Sequence, residues 1–71
     1  MKQIVANMAG TVINILVNEG DEVQAGADVV MLESMKMEVP VAAEVSGKVT
    51  AIKVNISDFV NEGDILIELE G

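Results

Sequence analysis

Apolar and polar residues alternate along much of this chain, and glycine interrupts the alternation at short intervals. In the last stretch Ile65, Ile67 and Leu69 fall on one side, and Glu68 and Glu70 on the other. A period of two is that of a strand with one buried face. Val30 and Leu32 are the matching inward set earlier in the chain, and Ile15, Val17, Ile52 and Val54 form a second inward row. Gly10, Gly20, Gly26, Gly47 and Gly63 separate β-branched runs of strand length, which predicts short strands joined by turns. Strands are expected near residues 3–6, 11–17, 22–24, 28–33, 37–42, 48–54, 59–61 and 65–70.

The pattern occurs twice. Sliding the chain by 37 residues lays residues 10–33 on residues 47–70, and ten of the twenty-four positions are identical: Gly10/Gly47, Val12/Val49, Ile15/Ile52, Val17/Val54, Asn18/Asn55, Asp21/Asp58, Val23/Val60, Gly26/Gly63, Leu32/Leu69 and Glu33/Glu70. The match continues weakly backwards through Ile4/Val41, Ala6/Ala43 and Met8/Val45. The tetrapeptide Asn-Glu-Gly-Asp at 18–21 and 61–64 is out of this register and reads as a chance echo. One half alone is too few strands to be stable in water, so two half-domains packed face to face must share one core. The expected fold is all-β: a flattened eight-stranded barrel or sandwich of two small sheets with pseudo-two-fold symmetry. Residues 1–71 form a single domain, with repeats 4–33 and 41–70 flanking a hairpin at 34–40.

Composition narrows the function. A chain of 71 residues buries only about 60% of its unfolded surface, too little for a deep catalytic cleft. It has no Cys and no His, so the commonest metal ligands and the usual general base are missing. No metal site and no catalytic residue is expected. Twelve acidic against four basic residues give a net charge of −8, which repels phosphate backbones and anionic membranes. Phe59 is the sole aromatic residue, so there is no stacking platform for bases. The expectation is a cytoplasmic monomer that binds neither nucleic acid nor membrane. The same acidity favours encounter with basic protein partners.

Between the repeats lies Glu33-Ser34-Met35-Lys36-Met37-Glu38. A tight turn with Met35 and Lys36 at its apex joins the strands on either side, and Pro40 consigns the following strand to an edge or an irregularity. The turn lacks the Asn-Gly or Gly-Gly that two-residue hairpins favour. An ordinary turn with a solvated lysine would account for these residues one at a time. Three features together point further. Lys36 is the only basic residue between Lys2 and Lys48, it sits between the two repeats near the middle of the chain, and it is bracketed by methionines. Exposed methionines forgo burial that would stabilise them by ~1.5–3 kcal/mol each. An apolar collar around one amine is a recognition feature.

Glu33, Ser34, Met35, Lys36 and Met37 resemble the attachment motif of the biotinyl/lipoyl carrier-domain family: an acidic residue, a small residue, then Met-Lys-Met. The resemblance extends over essentially the whole chain, including Gly10, Gly20-Asp21, Gly26 and Gly47. It implies a barrel-sandwich fold with the lysine on a hairpin and biotin covalently attached to Lys36. It also implies recognition of Glu33, Met35 and Met37 by a biotin protein ligase. The family's cycle makes biotin carboxylase and carboxyltransferase the partners, one loading a carboxyl group onto the cofactor and the other passing it to an acceptor. The chain departs from the family at Asn7 and Glu44, where proline is common, and at Ser34, where alanine is commoner. The region Asn18–Glu22 holds only a short turn, with none of the inserted thumb loop of some bacterial carriers.

Lys36 is expected to be a substrate and not a catalyst. An exposed lysine is almost wholly protonated at neutral pH, and activating it takes burial or a neighbouring cation, which a hairpin tip does not offer. The resemblance then implies a biotin carboxyl carrier. Lipoate on Lys36, for acyl transfer, is the alternative, although lipoyl sites usually read Asp-Lys-Ala. An unmodified barrel used for protein contacts is the other. Asp21, Asp28, Asp58 and Asp64 are expected to stabilise turns, and Glu44, Glu62, Glu68 and Glu70 to be solvated.

Overall fold

The two sheets of this protein each draw strands from both halves of the chain. The computed structural model describes residues 2–71. Its strands are β1 (Lys2–Val5), β2 (Gly10–Ile15), β3 (Glu22–Val23), β4 (Asp28–Ser34), β5 (Met37–Ala42), β6 (Gly47–Ile52), β7 (Phe59–Val60) and β8 (Ile65–Glu70). One sheet has the order β1-β8-β6-β3 and the other β5-β4-β2-β7, and every pairing is antiparallel. A shift of 37 residues carries β2, β3 and β4 onto β6, β7 and β8. The halves therefore interleave: each sheet has a central pair from one half flanked by edge strands from the other. This differs from two half-domains stacked face to face. Interleaving lets each half satisfy the backbone edges of its partner.

The backbone bonds between elements come in matched pairs. The Gly20 amide donates to the Val49 carbonyl and the Val49 amide to the Asp21 carbonyl, each at 2.8 Å. Their counterparts run from Ser57 to Val12 at 2.7 Å and from Val12 to Asp58 at 2.8 Å. Gly26 and Ala43 bond the turn of residues 24–27 to one half as Gly63 and Ala6 bond the turn of residues 61–64 to the other.

The core is also built twice. Its buried residues are Ile4/Val41, Ala6/Ala43, Val12/Val49, Val23/Val60, Val29/Leu66, Val30/Ile67 and Leu32/Leu69 as equivalent pairs, with Val54. All are aliphatic, and no polar side chain is buried among the described residues. Ile15, Val17 and Ile52 are half-buried against this cluster. Two of these pairs follow the predicted alternation, but Ile65 does not: it is exposed, and its neighbour Leu66 is fully buried. The cause is a bulge. Along β1, Ile4 faces Ile67 and Val5 faces Ile65, so Leu66 is the extra residue. The same happens at Val29, which is skipped between Asp28/Ala42 and Val30/Val41. Two successive residues at each bulge can then point inward, which strict alternation forbids.

Three of the four aspartates act as expected. The Asp21, Asp58 and Asp64 carboxylates accept from the amides of Asn18, Asn55 and Asn61 at 2.8–2.9 Å. Asp28 does not. The turn before it, residues 24–27, has Ala27 where the others have the capping aspartate; the Ala27 amide closes it on the Gln24 carbonyl, and its Ala25 amide donates to the Ser46 hydroxyl. The two Asn-Glu-Gly-Asp segments are no idle echo, since both form the same turn: the Asp carboxylate bonds the Asn amide, and Gly20 and Gly63 have φ of 94° and 91°. Glu68 is partly shielded rather than solvated, and lies 3.9 Å from the Lys53 ammonium.

Candidate functional site

The β4–β5 ladder ends at the pair Ser34/Met37, leaving Met35 and Lys36 to reverse the chain. Both take left-handed backbone, with φ of 52° and 65°. That is the I′ geometry, whose twist suits a two-residue hairpin and which normally recruits Asn-Gly. Left-handed backbone costs an ordinary L-residue roughly 1–2 kcal/mol. The turn keeps two long side chains where glycine would be cheaper.

The arms of the hairpin differ in support. β4 is a central strand, anchored by Val29, Val30 and Leu32 in the core. β5 is an edge strand, which accommodates Pro40 opposite Met31 without losing an interior ladder bond. The pleat sends Leu32 inward and its neighbour Glu33 outward, where Glu33 stands across from Glu38. Met37 shares its face with the buried Val41 but lies beyond the edge of the core, and is 65% exposed. Met35 is 92% exposed.

The four sequence-predicted site residues thus come together at one hairpin end. Lys36 is exposed at the tip, Met35 and Met37 stand on either side of it in sequence, and Glu33 opens the approach with Glu38. Among the described residues the only ion pair joins Lys53 to Glu68, so no carboxylate holds the Lys36 ammonium. The tip can offer a primary amine to another protein. It has no enclosing wall or neighbouring base with which to run a reaction itself. An amide-linked cofactor needs just such an unencumbered amine, and the residues present fit one.

Sequence reasoning made little of Phe59. It is exposed on β7, in the same cross-strand row as Glu33. The available signal was the repeat itself, which sets Phe59 against Glu22.

Comparison with known proteins agrees with this geometry. The model of the family described as "Biotin-requiring enzyme" matches residues 2–69. The chain is 50% identical over 62 residues to a biotin/lipoyl attachment protein of Bacillus subtilis, covering 87% of this chain and 85% of that one. It is 44% identical over 64 residues to a biotin carboxyl carrier protein of Streptococcus mutans, covering 90% of this chain and 49% of that one. It superposes on part of the crystal structure of Kluyveromyces lactis urea carboxylase with a TM-score of 0.90 at 32% identity, covering 97% of this chain and 6% of that one. The whole fold described above is thus a small unit in some relatives and nearly the entire protein in others. On its sequence, its interleaved double sheet and its lysine hairpin, the chain belongs to the biotinyl/lipoyl attachment family.

Proposed function

We propose that this chain is a biotin carboxyl carrier in which Lys36 takes biotin in amide linkage from a biotin protein ligase, with Glu33, Met35 and Met37 as the surface that the ligase reads. The observation that carries this reading is the two-residue turn that holds Met35 and Lys36 in left-handed backbone and leaves them in solvent.

The chain's part in loading is to present Nζ. The ligase must remove a proton from the ammonium, because nothing at the tip does so. The freed amine attacks the carboxyl carbon of an activated biotin, a C–N bond forms, the activating group leaves with its bonding electron pair, and the nitrogen gives up a second proton to the ligase or solvent. Glu33 and Glu38 give the approach a negative border, and the two methionines give it an apolar centre. When bound, biotin supplies a site that can carry a carboxyl group between partner enzymes. The hairpin's stiff β4 arm then acts as the fixed end of a flexible tether. Tethering raises the local concentration of the cofactor at a partner's site to the mM range. The partners on this reading are biotin carboxylase and carboxyltransferase, and the carrier acts as a monomer.

The test is intact mass and peptide mapping after co-expression with a biotin protein ligase. One biotinyl group on Lys36 is expected. A lipoyl adduct there, or none, would replace this reading by acyl transfer or by a purely structural role.

A further inference from the structure

The pseudo-two-fold axis provides an internal control for the surface positions within the repeats. In the β1-β8-β6-β3 sheet the outward row Glu70–Lys48–Glu22 alternates in charge. The equivalent row in the other sheet is Glu33–Thr11–Phe59. The cation has become threonine, and the outer carboxylate an aromatic ring. One turn earlier, Ile56 stands where the first half has Glu19. Phe59 is 65% and Ile56 57% exposed, and with Met35 and Met37 they are the four most exposed large apolar residues among those described. The fold does not require Phe59 or Ile56, since Glu22 and Glu19 fill the same positions in the other half. Single exposed apolar residues are ordinary. Phe59 and Ile56, three residues apart and each set against a glutamate in the other half, are not.

The setting of Phe59 indicates what would cover it. Phe59 and Ile65 line a shallow groove with Asp58, Asp64 and Lys53. Lys53 is paired with Glu68, and Asp58 and Asp64, each capping its turn through one carboxylate oxygen, keep the other oxygen beside an open ring. An arginine can stack on such a ring and pair with a carboxylate at once. Phe59 lies two strands from β4, about 10 Å across, and Lys36 is three residues beyond Glu33, about 10 Å along. The resulting ~14 Å fits within one partner's share of a standard interface, about 800 Å².

We propose that Phe59 and Ile56 form the second half of the docking face for the enzyme that acylates Lys36, which meets them with a basic, apolar-centred surface that sets an arginine over the Phe59 ring. The inference rests on the acylation of Lys36 proposed above. A lysine stem is short, so that enzyme must close over the tip itself, and the tip supplies only Met35 and Met37 as apolar anchors. A partner acting at the far end of a loaded tether can stand clear of the hairpin. The surplus of carboxylates over free cations on this face matches a basic partner.

The experiment is steady-state loading with a purified biotin protein ligase, biotin and ATP, with the carrier as varied substrate. Phe59→Glu, which borrows the residue of the equivalent position, is expected to raise the carrier KM about tenfold with kcat and Tm unchanged, the mark of lost binding rather than lost chemistry. Ile56→Glu should raise it less, and Glu22→Phe on the mirror face should leave it unchanged. A Phe59→Glu KM within about twofold of wild type would overturn the proposal, as would a Glu22→Phe carrier whose KM falls, since any exposed ring would then serve. A wild-type chain that acquires no adduct would instead sink the carrier reading, and this proposal with it.

Discussion

Ser34 and Met37 face each other as the last pair of the β4–β5 ladder, and this one register sets the geometry of the site. With that pair closed, only two residues make the turn, and the I′ form adopted here puts both in left-handed backbone. Met35 and Lys36 satisfy the requirement at φ of 52° and 65°. A longer loop would relieve the strain and let the amine wander. The short one fixes the base of the Lys36 side chain to a central strand that Val29, Val30 and Leu32 lock into the core.

Lys36→Arg should abolish loading while the fold persists, because arginine keeps the charge and exposure but cannot form the amide. Intact mass and circular dichroism check the two halves of this statement. Loading that persists on Lys2, Lys48 or Lys53 would refute the site.

Met35→Asn should raise stability and lower loading. Asparagine tolerates left-handed backbone better, so a gain of about 0.5–1 kcal/mol is expected in denaturant unfolding. The same change removes a side chain that is 92% exposed and contributes little to the core. A variant both more stable and loaded at the wild-type rate would show that the methionine has no recognition role.

Ser57→Gly should also stabilise, by about 0.5–1 kcal/mol. Ser57 has φ of 84° at the position where the sister turns use Gly20, Gly26 and Gly63. The relief of strain outweighs the greater chain entropy lost by glycine. A drop in Tm would mean the hydroxyl makes a contribution that the backbone geometry conceals.

Gly10→Ala and Gly47→Ala should each cost about 1–3 kcal/mol. A Cβ would stand 2.9 Å from the Glu33 carbonyl oxygen at Gly10 and 2.9 Å from that of Glu70 at Gly47. Gly47 is the tighter site, with the Leu69 Cβ at 3.1 Å against 3.4 Å for Leu32 at Gly10, so its variant should melt lower. Equal and negligible shifts in Tm would show that the strands part more easily than this packing implies.

Leu66→Ala should cost about 2–5 kcal/mol, and Ile65→Ala well under half as much. The contrast tests the β8 bulge, which buries Leu66 and exposes Ile65. The reverse ranking in chemical denaturation would restore simple alternation along this strand.

Much of this molecule was open to reading along the chain. The strand count, the repeat, the edge placement of Pro40 and the apex at Met35–Lys36 follow from period, spacing and turn chemistry, which are local. What local pattern missed was set by pairing between distant strands. The bulges at Val29 and Leu66 arise from register against β5 and β1. Asp28 stands one residue beyond the capping place, which Ala27 holds, and that turn is tied instead through the Ala25 amide to the Ser46 hydroxyl, twenty-one residues away. The Asn-Glu-Gly-Asp pair lies out of the repeat, yet turn chemistry needs no common ancestry to recur.

The amino-acid sequence by itself determined which residues could be strand and turn and which lysine is the candidate for attachment, because alternation, glycine spacing and the Met-Lys-Met segment act over a few bonds. Only the tertiary structure decided which neighbours each strand would have. That choice interleaved the halves, set Leu66 inside and Ile65 outside, and brought Phe59 into one row with Glu33. Contacts between residues far apart in the chain form only when the shared core closes, and a linear pattern carries no record of them.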